Sequence, residues 1–159
     1  MITARSEPVF GAVYKLCAVE ENGVMMPRIK ISENIEKVTN PGFKKVYRAY
    51  SADGHSIADV LAGYEEKIEE IPYLVDPEKP WKKIPVDGLT FVEIQQQVMK
   101  DGKRLFDTEP ILGIRGRVKK QLEREVWEEE QRFENPHRHY LDMTPAYYEN
   151  KMKLLENED

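Results

Sequence analysis

The sequence predicts an α+β fold in which about six antiparallel strands come first and two helices come last. Two sets of observations carry this. Asn22-Gly23, Asp53-Gly54 and Asp101-Gly102 each separate segments rich in Val, Ile, Tyr and Phe, and such dipeptides supply the positive φ angles of tight hairpin turns. Further on, Ile114, Val118, Leu122 and Val126 recur every four residues, the spacing of one helix face.

Taken in order, the first hairpin pairs Gly11–Val19 with Met25–Ile31 around Asn22-Gly23. Val13, Lys15, Cys17 and Val19 alternate with Ala12, Tyr14, Leu16 and Ala18. Both sets contain apolar members, so this strand is expected to be covered on both faces. The second hairpin joins Lys45–Tyr50 to His55–Ala62, and the third joins Thr90–Met99 to Lys103–Phe106. Between them, Ile71 to Gly88 holds Pro72, Pro77, Pro80 and Pro85, too many for a regular element, and is expected to be a wrapping connector. Thr108 is placed to cap a helix opening at Glu109-Pro110, with Trp127 and Phe133 beside its apolar face and Asn135-Pro136 as its end. Thr144-Pro145 repeats the cap-and-proline signal for a short last helix carrying Tyr148, Met152 and Leu155. The expectation is one domain over 1–159, β-rich through 106 with the proline-rich connector at 71–88, and helical from 107.

Composition narrows the function classes. The chain has 159 residues and a net charge of −5, large enough for one hydrophobic core and too acidic for a general nucleic-acid binder. No apolar run approaches the roughly 20 residues of a membrane span. The start, Met1-Ile2-Thr3-Ala4-Arg5-Ser6, lacks the pattern of a secretory or transit signal, so a cytoplasmic location is expected. Cys17 is the only cysteine, which excludes an internal disulfide and any thiolate cluster.

One stretch departs from the acidic balance. Residues 28–48, RIKISENIEKVTNPGFKKVYR, set Arg28, Lys30, Lys37, Lys44, Lys45 and Arg48 against only Glu33 and Glu36. Ser32, Asn34, Thr39 and Asn40 suit turns, and Pro41-Gly42 fits the centre of a type II turn. Ammonium groups and exposed amides sharing such a loop form a receptor for phosphate. Lysines that keep an exposed sheet edge soluble would leave the same pattern, and residue type alone favours that plainer account.

The other constellations are weaker. His137-Arg138-His139 with Asp142 offers two imidazoles and one carboxylate, short of a metal set, and reads better as a polar turn joining two helices. Glu123, Glu125, Glu128, Glu129 and Glu130 read as the solvated side of an amphipathic helix. No nucleophile stands beside a base, and nothing in the chain alone completes an active site.

GAVYKLCAVEENG and PRIKISENIEKVTNPGFKKVYRAY, with DPEKPWKKIPVDG and RFENPHRHYLDMTPAYYENKMKLLE, closely resemble the C-terminal portion of the nicotinate phosphoribosyltransferase family. The resemblance spans nearly the whole chain and reverses the balance on the basic loop. It implies a C-terminal fragment of a larger α/β-barrel enzyme. That enzyme is a transferase of pyridine nucleotide biosynthesis, also described as a ligase and glycosyltransferase. It joins nicotinate to 5-phosphoribosyl 1-pyrophosphate, giving nicotinate mononucleotide, with ATP hydrolysis and magnesium. By the same resemblance Lys30 and Lys37 contact phosphate, Thr39, Gly42 and Lys44 complete the loop, and Lys15 is a further candidate. No catalytic residue and no metal ligand is assigned to this chain. Ile2-Thr3-Ala4 looks like the tail of the family's glycine-rich phosphate loop, so the glycines, the phosphorylated histidine and most of the barrel are expected upstream. The fragment is expected to be inactive alone, with no bound cofactor, no nucleic acid and no membrane, and to meet the missing barrel half or a homodimer partner. The alternative is a non-catalytic interaction module pairing with a separate barrel subunit.

Overall fold

A computed structural model describes residues 13–33 and 37–156. Ile2-Thr3-Ala4, the opening residues of the first expected strand, and Asn34 lie outside them. The chain divides into two compact units, Met1–Phe43 with Leu154–Asp159, and Lys44–Lys153. The fold is α+β.

In the first unit, β1 (Ala18–Glu21) and β2 (Val24–Pro27) form the expected hairpin. Asn22 and Gly23 turn it with φ angles of 54° and 80°, as a primed turn requires. The strands are shorter than the alternation suggested, and Val13, Tyr14 and Leu16 are exposed rather than covered on both faces. Ala18 lies opposite Pro27 in the pair of the strands farthest from the turn, and beyond it the Arg28 amide donates to the Cys17 carbonyl at 2.8 Å.

In the second unit, β3 (Lys44–Tyr50) and β4 (Ser56–Gly63) form the expected second hairpin, with Gly54 at φ 89° in its loop. They sit in a six-stranded sheet with β5 (Tyr73–Val75), β6 (Lys83–Pro85), β7 (Thr90–Glu93) and β10 (Tyr140–Met143), in the order β6-β5-β10-β4-β3-β7. Of these pairs only β10 with β4 is parallel. On one face Tyr47, Ala49, Val60, Ala62 and Leu74 pack with Ile68 of a short 3₁₀ turn. On the other, Leu61 and Met143 meet Tyr147 of α2 (Pro145–Glu156).

Four expectations are corrected here. The proline-rich connector contains β5 and β6, since its prolines stand outside the strands or at the end of β6, an edge strand, where a missing N–H is tolerated. Thr90–Met99 is not one strand paired with Lys103–Phe106. Its first part, β7, pairs with β3 and ends where Gln95 Oε1 takes the Val46 N–H at 3.0 Å. The remainder forms a separate two-stranded ribbon, β8 (Met99–Lys100) and β9 (Lys103–Arg104), around Asp101-Gly102. The segment read as a polar turn between helices supplies the central strand β10, a four-residue element too short for a visible period.

The fourth correction concerns α1, which runs Ile111–Arg124 rather than to Asn135. Thr108 does not cap it. Its hydroxyl accepts from Arg104 at 2.8 Å, and Pro110 occupies the cap position. The early end has a tertiary cause. The Glu125 carbonyl, which a continuing helix would bond to its own backbone, accepts instead from the Ser56 amide (2.8 Å) and hydroxyl (2.9 Å). Trp127 Nε1 donates to the Ser56 carbonyl at 3.1 Å, and Gln131 Nε2 donates to the Leu122 and Val126 carbonyls that the stopped helix leaves over. By contrast Thr144 caps α2 as expected, its hydroxyl accepting from the Tyr147 N–H at 3.3 Å.

Asp142, on the central strand, is 1% exposed, and neither carboxylate oxygen accepts a hydrogen bond. Burial, reinforced by the negative charge of Asp76 and opposed by Lys82, pushes its carboxyl up from 3.8 to about 6. The folded state therefore favours the protonated form. This contribution to stability is complete below pH 3.8 and is lost as pH rises to about 6. We expect Asp142→Asn to flatten that fall, raising the unfolding free energy above pH 6 by on the order of 2 kcal/mol. Urea midpoints measured across this pH range check it, and parallel pH profiles for the two proteins would contradict it.

Candidate functional site

The site is built in the first unit from the chain around the β1–β2 hairpin. The carbonyl of Cys17 accepts two hydrogen bonds, from the Arg28 amide at 2.8 Å and the Gly42 amide at 2.6 Å. These place the entry and the exit of the basic segment on one acceptor. Within the segment, Thr39 is buried and its hydroxyl accepts from the Lys30 amide at 2.8 Å, while the Thr39 amide donates back to the Lys30 carbonyl at 3.3 Å. Lys15 Nζ donates to the Lys37 carbonyl at 2.9 Å.

Pro41-Gly42 lies at a bend. Gly42 has φ 86°, the value of the third residue of a type II turn, and a Cβ there would stand 3.9 Å from Pro27. The obstacle to a side chain is thus backbone conformation rather than space. One expectation changes: the Gly42 N–H that was to face an anion is engaged by Cys17.

The charges of the stretch divide into two groups. Arg28 pairs with Glu21, and its guanidinium also donates to the Pro27 carbonyl at 3.0 Å. In the second unit Lys45 pairs with Glu93 at 3.5 Å, and Arg48 clasps Asp59 with two bonds of 2.8 and 3.1 Å. The Asp59 hydrogen bond holds the Arg48 guanidinium above its ordinary pKa. Lys44 opens β3 opposite Gly63. Lys30 and Lys37 are exposed, and among the described residues no carboxylate pairs with either. The structure therefore brings Lys15, Lys30, Lys37 and Thr39 onto one clipped loop, with Gly42 at its end.

A second polar group was not anticipated. His139 lies between carboxylates, Nδ1 3.3 Å from Glu130 and Nε2 3.6 Å from Asp59. Tyr50 donates to Glu125 at 2.9 Å, and its hydroxyl pKa is raised by burial and then by that bond. Glu125 and Glu130 thus hold the segment after α1 to the sheet, a correction to the reading of the whole acidic run as solvated. The signal was present in the break of the apolar period after Val126. Among the described residues no group of three or more His, Cys, Asp or Glu is placed to hold a metal ion. No helix among them is long and apolar enough to cross a membrane.

Residues 43–151 match the model of the nicotinate phosphoribosyltransferase C-terminal domain. Nicotinate phosphoribosyltransferase of Bacillus subtilis is 35% identical over 158 residues, 98% of this chain and 32% of that protein. The Caenorhabditis elegans protein of that name is 25% identical over 94% of this chain and 26% of its own length. The crystal structure of human nicotinic acid phosphoribosyltransferase has a similar fold, with a TM-score of 0.67 at 18% identity over 74% of this chain and 24% of that one. The chain thus spans a third or less of the relatives it matches.

Because φ 86° at position 42 is costly for any side chain, Gly42→Ala is expected to destabilise the first unit by about 1–2 kcal/mol. Faster amide exchange in β1 and β2, with β4 unchanged, is the result to look for.

Proposed function

The chain belongs to the nicotinate phosphoribosyltransferase C-terminal domain family, and from that premise we propose that its basic loop supplies cations to the phosphates of the substrate in a whole enzyme of this kind. The observation that carries the reading is the clipped loop on which Lys30 and Lys37 are exposed, with no carboxylate partner among the described residues. The proposed reaction joins nicotinate to 5-phosphoribosyl 1-pyrophosphate and releases pyrophosphate. Negative charge grows on the departing group as its bond to the ribosyl carbon breaks, so a fixed ammonium beside it lowers the barrier itself. Lys30 and Lys37 are assigned this role. Thr39 and Gly42 shape the loop, and Lys44 begins the strand that follows.

Magnesium and ATP belong to the proposal for the whole enzyme. Among the described residues no group of three or more His, Cys, Asp or Glu could hold a metal ion, and no step is assigned to either group here. The nicotinate-contacting and histidine-phosphorylating parts are proposed to lie in the portion that the relatives have and this chain does not match. Soluble, cytoplasmic operation is part of the same proposal.

A second reading, an interaction module pairing with a separate barrel subunit, is favoured by one observation. Helix α1 has no buried residue and leaves Ile111, Leu112, Val118 and Leu122 exposed, an apolar stripe of the kind that marks a contact surface. Sedimentation of the purified chain separates the two, since a monomer that recruits no barrel subunit speaks against the module.

In a full-length enzyme carrying this domain, Lys37→Ala is expected to lower kcat by about ten-fold or more, about 1.4 kcal/mol of barrier. Steady-state kinetics at fixed ionic strength measure this, and an unchanged kcat would remove Lys37 from the proposed role.

A further inference from the structure

We infer that Thr39 and Lys15 are positioning residues, which clip the backbone of the loop at Lys30 and Lys37, the two residues whose side chains are proposed to meet phosphate. The clip follows from the geometry. Thr39 is buried at 7% exposure, its hydroxyl is occupied by the Lys30 amide, and its own amide is occupied by the Lys30 carbonyl. The hydroxyl proton is not used by that bond, but at 7% exposure it has little surface through which to reach an anion.

Lys15 acts from the opposite side. It lies in the segment before β1, and its ammonium reaches the backbone carbonyl of Lys37, 22 residues on. A carbonyl is a neutral acceptor. The bond therefore leaves the positive charge in place while tying down the residue whose side chain is to face the anion. The Cys17 carbonyl, two residues after Lys15, closes the base of the loop through Arg28 and Gly42. Three backbone links thus fix the loop at Lys30, Lys37 and Gly42, and the Lys30 and Lys37 side chains are left for a ligand. Two ammonium groups carried on one clipped loop suit a multiply charged anion better than a single carboxylate.

The purpose of the clip rests on the reading of the loop as a phosphate site, but its existence does not, and the test separates them. Amide hydrogen exchange is measured by NMR on the intact chain for wild type, Thr39→Val, Thr39→Ser, Lys15→Met and Lys15→Arg, and inorganic pyrophosphate is titrated into each at low salt. Thr39→Val is expected to speed exchange of the Lys30 amide by about ten-fold, the loss of roughly one hydrogen bond, and to weaken pyrophosphate binding with it. Thr39→Ser, which keeps the hydroxyl, should restore both. Lys15→Met should move the Lys37 carbonyl resonance, and Lys15→Arg should return it. If Thr39→Val weakens pyrophosphate binding while the Lys30 amide stays protected, Thr39 is a direct contact and the inference is overturned. If no variant and not the wild type binds pyrophosphate while the exchange pattern holds, the clip stands and the phosphate reading is what fails.

Discussion

Strand β4 is bonded along both edges and covered on both faces, and most of the second unit follows from that constraint. Its backbone pairs with β3 on one side and β10 on the other. Alternate residues go to different clusters, Val60 and Ala62 to one, Leu61 to the other. A strand buried in this way has no solvent to take up unpaired amides, so each must find a protein partner. That requirement brings the C-terminal segment back as a parallel central strand. At the first residue of β4 the same requirement ends α1. Ser56 supplies two donors to the Glu125 carbonyl and accepts from Trp127, three contacts that outweigh the single backbone bond a further helical residue would gain.

Polar groups above the sheet repeat this logic with charge. Arg48 and Asp59 are directly opposite in the β3–β4 register, where opposite charges contribute modestly. Their geometry is two-pronged and half-buried, which makes the pair stronger than an exposed one. His139 then bridges toward Glu130 and so fastens the irregular segment after α1. Asp142 is the exception. Among the described residues it has no hydrogen-bond donor, and the cost of burying it as an anion appears in its raised pKa rather than in a partner.

The hairpins were legible because their turn chemistry is local: Asn22-Gly23 and Asp101-Gly102 take the positive φ angles that their residue types advertise. Thr144-Pro145 was legible for the same reason. What sequence could not reveal is where a partner overrides a period. The apolar spacing through Val126 continues past the point at which Ser56 draws the chain out of the helix, and YLDM is too short to declare itself a central strand. On the loop, residue type located the cations and the bend at Gly42. That Arg28, Lys45 and Arg48 are paired depends on Glu21, Glu93 and Asp59, and only Glu93 and Asp59 reach their partners through strand register. The role of Thr39 was hidden because a threonine facing a ligand and a threonine facing a backbone amide look alike in sequence.

Ammonium groups brought onto one exposed loop with no carboxylate paired to them among the described residues repel one another. Two unit charges 4 Å apart in water repel by about 1 kcal/mol, more where the surface lowers the local dielectric. A chain with a net charge of −5 has acidic residues in ample supply, and on this stretch it uses them to neutralise Arg28, Lys45 and Arg48. Solubility alone gives no reason to clip the backbone on either side of the remaining lysines, since a lysine keeps an edge soluble in any rotamer. A buried threonine, a doubly engaged carbonyl and a lysine tied to a distant backbone oxygen restrict where Lys30 and Lys37 begin. Cations fixed in this way gain most from an anion that arrives with several oxygens close together, which is why the loop is proposed as a phosphate site.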